Sequence, residues 1–227
     1  MIAENLHSVL DTLPKEVRLV AVSKFHPVSS LQQAYDAGQR IFGESHVQEL
    51  VEKEALLPKD IEWHFIGHLQ TNKVKYLAPF VSLIHAVDSL KLLREINRQA
   101  ERCQRTIPCL LQIHIAQEET KFGLTPDELR QLLEAGEWRE LTHVQIAGLM
   151  CMATNTDDEG QIDSEFALAA EIFREMKTAF FSDDAAFCEL SMGMSGDYLI
   201  ALRHGSTLVR VGSMIFGERD YTTHKQT

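Results

Sequence analysis

The sequence predicts one α/β domain built as a (β/α)₈ barrel, and three observations lead there. Apolar, β-rich runs and amphipathic helical runs alternate from one end of the chain to the other. Eight runs of the first kind fall within roughly 200 residues, the size of a single barrel of this type. The first strand is followed by SKFHP, with no G-x-G-x-x-G, which argues against the competing layout of an open doubly wound sheet. Strands are expected at 18–23 (RLVAVS), 40–42 (RIF), 62–66 (EWHFI), 82–86 (SLIHA), 109–115 (CLLQIHI), 144–149 (VQIAGL), 187–191 (FCELS) and 207–211 (TLVRV). A leading helix at 3–12 precedes them, and helical patterns lie at 28–37, 44–56, 70–78, 89–104, 125–135, 160–180 and 195–204. In the fourth of these, Leu90, Leu93, Ile96 and Ala100 recur at three- and four-residue spacing, one apolar stripe of a helix. In the fifth, Thr125 is a cap, Pro126 occupies the first helical position and Gly136 closes the element. The polar run TNTDDEG at 154–160 reads as a loop, with Asp157, Asp158 and Glu159 solvated. No linker or repeat divides the chain, so residues 1–227 are read as one domain.

Composition narrows the function. Asp and Glu outnumber Lys and Arg 33 to 22, for a net charge of −11, which disfavours nucleic acid as a partner while leaving room for a local basic pocket holding one small anion. Cys103, Cys109, Cys151 and Cys188 form no CxxC pair, a usage that fits reduced thiols in the cytosol. The opening MIAENLHSVLDTL lacks a basic segment followed by an apolar one, and no apolar stretch approaches the roughly 20 residues of a bilayer span. The expectation is a cytoplasmic protein without a membrane partner.

In a barrel of this kind, sites form at the C-terminal ends of the strands. The first strand ends in Ser23-Lys24, so Lys24 is either the point where the chain meets water or an amine placed in a pocket. The seventh runs into SMGMSGD, with Gly193, Ser195 and Gly196, and the eighth into RVGSMIFG, with Gly212 and Ser213. Glycines let backbone N–H groups approach an anion, and serine hydroxyls add donors. The two loops are either ordinary tight turns or the phosphate cradle that recurs at these strands. Arg210 stands inside an apolar strand and needs a planar acceptor or a carboxylate on a neighbouring strand. An amine, an anion cradle and an arginine between them match what pyridoxal 5'-phosphate requires of a protein. His64 and His68 are four apart, but Gly67 and the lack of a following Glu speak against a metal site. Ser191 and Ser195 lack a G-x-S-x-G elbow, so a serine hydrolase is unsupported.

The blocks LVAVSK, AGQRIFGESHVQEL, EWHFIGHLQTNK, ETKFGL, GLMCMAT, LSMGMSGDYLIAL and GSTLVRVGSMIFGERDY, taken in order, resemble the pyridoxal phosphate homeostasis proteins. These are single-domain relatives of the barrel at the N-terminus of alanine racemase. The resemblance implies pyridoxal phosphate carried as a Schiff base on Lys24. Arg210 would then face the ring nitrogen, Ser195, Gly212 and Ser213 would bind the phosphate, and His64 and Asn72 would lie nearer the ring. The family usually reads FGENYVQE; here Ser45-His46 replaces Asn-Tyr, so Ser45 takes the asparagine's place near the lysine. A cation at the ring nitrogen weakens the cofactor as an electron sink. Racemases of the related fold draw a second acid/base residue from a further domain across a dimer, and only RDYTTHKQT follows the strand-eight loop here. The resemblance therefore implies a monomeric, non-catalytic carrier that holds the cofactor and supplies apo-enzymes that depend on it. A racemase using the same lysine, and a plain barrel for another phosphorylated ligand, are the alternatives.

Overall fold

The structure is a computed structural model, and it describes residues 1–116 and 122–218. Eight parallel strands close on themselves in chain order, with the last paired to the first. They are β1 (Arg18–Val22), β2 (Ile41–Glu44), β3 (Glu62–Phe65), β4 (Leu83–Val87), β5 (Ile107–Gln112), β6 (Val144–Met150), β7 (Glu189–Met194) and β8 (Leu208–Val211). The helices are α1 (Ile2–Leu10), α2 (Val28–Asp36), α3 (Val47–Leu56), α4 (Val74–Leu77), α5 (Leu90–Arg102), α6 (Pro126–Ala135), α7 (Glu159–Phe180), α8 (Tyr198–Arg203) and α9 (Ser213–Phe216).

Local chemistry explains where several of these begin. Thr125 and Glu128 form a reciprocal capping box on α6, and Gly136 ends it at φ 74°. Ser89 caps α5 by accepting from the Leu92 amide. Asp158 is not merely solvated, as the polar run suggests. Its carboxylate accepts from the amides of Gly160 and Gln161 and so starts α7. Two strands start two residues from their expected places. β5 starts two residues early because Ile107 pairs with Val144, and β7 starts two residues late because Glu189 pairs with Gly148. The helix expected at 70–78 is a 3₁₀ turn, Thr71–Lys73, followed by the single turn of α4. α9 is an addition that no period-based reading finds in four residues.

A main apolar cluster, including Leu31, Phe42, Leu93, Leu129 and Phe166, joins the strands to the surrounding helices. A second cluster of Val20, Leu83, Leu110, Ala147, Met150 and Leu208 is separate from it. Side chains alternate along a strand, so one set packs on the helices and the other fills the barrel. The filling includes polar residues, His64, His85, Ser191 and Arg210, all at most 4% exposed. None of the helices among the described residues is long and apolar enough to cross a membrane.

Candidate functional site

A cavity of about 380 Å³ opens at the C-terminal ends of the strands. Seven of the residues marked by the sequence line it: Lys24, Ser45, Ser195, Gly196, Arg210, Gly212 and Ser213. Lys24 lies two residues beyond the end of β1, and the turn there carries Phe25 at φ 66°. The cradle is assembled across two loops, because the Gly212 amide donates to Ser195 Oγ at 3.2 Å. Gly212 is glycine for a steric reason: a Cβ would stand 2.9 Å from the Val22 carbonyl oxygen. The loop after β8 therefore lies against the strand that delivers Lys24. A Cβ on Gly67 would stand 2.4 Å from the Ser45 carbonyl oxygen, so the β2 and β3 loops are pressed together in the same way.

Arg210 stands in register between Val20 of β1 and Met194 of β7. Its partners are neutral: Nη1 donates to Ser191 Oγ at 2.6 Å and Nη2 to the Cys151 carbonyl at 2.8 Å. The carboxylate pairing left open by the sequence is therefore not what buries it. Burial pulls its pKa below the ordinary arginine value, yet guanidinium retains its charge in proteins. The cavity thus has a fixed cation in its floor.

Two of the expected residues lie outside this cavity's lining. His64 does not line this cavity; it is 2% exposed and lines a smaller one of about 260 Å³ with Arg18, Glu62 and Glu189, at the opposite mouth. It reaches Arg210 through three hydrogen bonds: His64 Nδ1 to His85 Nε2 at 3.0 Å, His85 Nδ1 to Ser191 Oγ at 3.0 Å, and Ser191 Oγ to Arg210. Burial holds His64 at a pKa of about 3, helped by the Arg18 charge, and burial also drives His85 well below the usual value. Both rings are neutral. Arg210 can only donate, so Ser191 Oγ accepts from it and keeps a proton and a second lone pair for its bond with His85 Nδ1. Asn72 is also displaced from its expected place, lying exposed on the 3₁₀ turn and outside the cavity lining.

The structure adds walls that the sequence did not mark. Gln112, Met152 and Phe122 are among them, and His68, weighed in the sequence only as a metal ligand, joins the lining. His68 stacks on Phe122 with ring centroids 4.2 Å apart, and its Nδ1 lies 3.4 Å from Asp88 Oδ2. His68 therefore meets an aromatic ring and a carboxylate, and the described residues hold no group of three metal-ligating side chains. Behind Lys24 lies a buried cluster of Lys53, Glu44 and Glu49, in which Glu49 and Lys53 stand at i,i+4 on α3. Burial raises the Glu44 carboxyl to about 7 against the pull of Lys53. Residues 117–121, with part of the ETKFGL block, and the final 219–227 lie outside the described residues.

A barrel with an amine, a cation and an amide-lined cradle at its C-terminal mouth defines a class. Residues 1–220 match the model of the alanine racemase N-terminal domain. The chain belongs to the pyridoxal phosphate homeostasis protein family: it is 41% identical over 209 residues to the protein of that name from Pasteurella multocida, covering 91% of this chain and 88% of the relative. It is also 36% identical over 226 residues to the Schizosaccharomyces pombe homeostasis protein, covering 94% and 93%. PipY of Synechococcus elongatus, solved without PLP, superposes with a TM-score of 0.89 at 38% identity, over 96% of this chain and all of that one. The same protein with PLP bound superposes at 0.86. Bartonella henselae alanine racemase shares the fold alone, with a TM-score of 0.73 at 16% identity, and this chain covers 60% of it.

Proposed function

We propose that this chain binds pyridoxal phosphate covalently through Lys24 and serves intracellular vitamin B6 homeostasis as a carrier, without substantial catalysis. The observation that carries the reading is the placement of a lysine, an arginine and a two-loop cradle around one cavity. The volume falls within the range of small-molecule sites. When bound, the cofactor supplies an aldehyde that condenses with a primary amine.

This chain's residues divide the work. Lys24 offers the amine from the end of β1. Ser195, Ser213 and the Gly212 backbone form the polar cradle, and at Gly196 a Cβ would meet only open space, so that side stays clear for an anion. Arg210 sets a positive charge in the floor, which opposes protonation of a ring nitrogen placed beside it. That electrostatic effect favours holding over turnover. Ser45 stands at the wall next to Lys24, where a longer amide side chain would reach further.

Trapping with borohydride followed by peptide mapping tests the assignment. Protein loaded with pyridoxal phosphate is expected to give a reduced adduct on the peptide bearing Lys24. Lys24→Ala is expected to lose visible absorbance while retaining its melting temperature, since this half-buried lysine lies outside the apolar core. A reducible adduct that persists in Lys24→Ala would overturn the assignment. Exchange of an amino acid's α-proton at enzymatic rates would replace the carrier with a racemase-type enzyme.

A further inference from the structure

The turn that carries Lys24 is held by side chains that never reach the cavity. Lys53, 5% exposed on α3, donates from Nζ to the Ser23 carbonyl at 2.8 Å and to Glu44 Oε1 and Glu49 Oε1, each at 2.7 Å. Ser23 Oγ donates to the same Glu44 oxygen at 2.6 Å. Glu49 Oε1 also accepts from the Phe25 amide at 2.7 Å. The residues on either side of Lys24 are thus tied into one buried cluster: the preceding carbonyl by Lys53, the following amide by Glu49. Phe25 needs such a tie, because its φ of 66° lies where side chains other than glycine are unfavourable.

We propose that Lys53, acting with Glu44 and Glu49, is a positioning residue that clamps the Ser23–Phe25 turn so that the Lys24 amine faces the cavity. This rests on the reading of Lys24 as the attachment point. Lys53 does not compete for that role, since three acceptors surround its ammonium. The cluster joins α3 to the end of β1, so it places Lys24 relative to the barrel rather than merely stiffening one loop.

The test is the rate at which protein freed of ligand captures added pyridoxal phosphate, followed by visible absorbance. Lys53→Met keeps the unbranched stem and removes the ammonium; capture is expected to slow by about tenfold or more, the scale on which small misplacements of reacting groups act. That variant leaves two buried carboxylates facing each other, so Lys53→Met combined with Glu44→Gln serves as the control for stability. The double variant is expected to recover much of the melting temperature and none of the capture rate. Amide hydrogen exchange at Phe25 is expected to accelerate in both variants. Capture at the wild-type rate by the double variant, or unchanged exchange at Phe25, overturns the proposal. If wild-type protein fails to capture the aldehyde, the attachment reading falls, and unchanged Phe25 exchange in Lys53→Met still decides against the clamp.

Discussion

His64 should make the protein acid-sensitive in a defined window. Its pKa is about 3 in the folded chain against 6.5 for an ordinary histidine. Between those values the unfolded chain binds a proton that the folded chain refuses, so stability falls as pH falls. From pH 7.5 to pH 5 the unfolded ring gains about 1.5 pK units of proton binding, which is about 2 kcal/mol of lost stability from this residue. His85 acts in the same direction. Glu44 acts oppositely: its carboxyl titrates at about 7 folded against 4.5 unfolded, so its protonation on acidification favours the folded state by about 2 kcal/mol over the same interval. The wild-type profile therefore mixes opposing slopes, and a variant is needed to separate them. His64→Gln retains an amide that can pair with His85 Nε2 as acceptor or as donor while removing the titrating ring. Urea denaturation at both pH values should show the variant losing about 2 kcal/mol less than wild type on going to pH 5. Any fixed packing loss in the variant appears at both pH values and cancels. Parallel profiles, within about 0.5 kcal/mol, would refute a buried neutral His64.

Three further predictions follow from contacts already described. Gly212→Ala places a methyl 2.9 Å from the Val22 carbonyl oxygen, so it should lower stability by about 1–3 kcal/mol in urea titration and weaken phosphate-group binding measured by calorimetry. Thr125→Ala removes the cap from α6 and should cost about 1 kcal/mol, read as a lower urea midpoint at unchanged slope. Burial pushes Cys151 up to about 12 and raises Cys109 as well, so a thiol reagent added to native protein should modify Cys103 and Cys188 ahead of both; peptide mapping reads the order.

The barrel was legible because parallel strands buried on both faces read as short apolar runs, and each is followed by a helix with its own signal. Thr125, Pro126 and Gly136 bounded α6 from sequence because capping is local chemistry. Boundaries at β5 and β7 slipped because strand ends depend on partners far along the chain. The seven cavity residues were legible for a related reason: a residue at the C-terminal end of a barrel strand must face that mouth, whatever it does there.

Depth along the barrel axis is what a linear reading lacks, and His64 shows it. Its strand is the right one, but a residue inside β3, rather than after it, sits in the interior and meets His85 instead of the cavity. Lys53 shows the complementary failure. Glu49 and Lys53 at i,i+4 have the spacing of a surface ion pair, and only the approach of Glu44 and Ser23 from other elements converts them into a buried cluster. A lysine side chain 6% exposed must satisfy its ammonium donors within the protein, and the acceptors available to Lys53 are those flanking Lys24. The physical need to neutralise one lysine thus fixes the backbone that aims another, a coupling that no motif around either residue records.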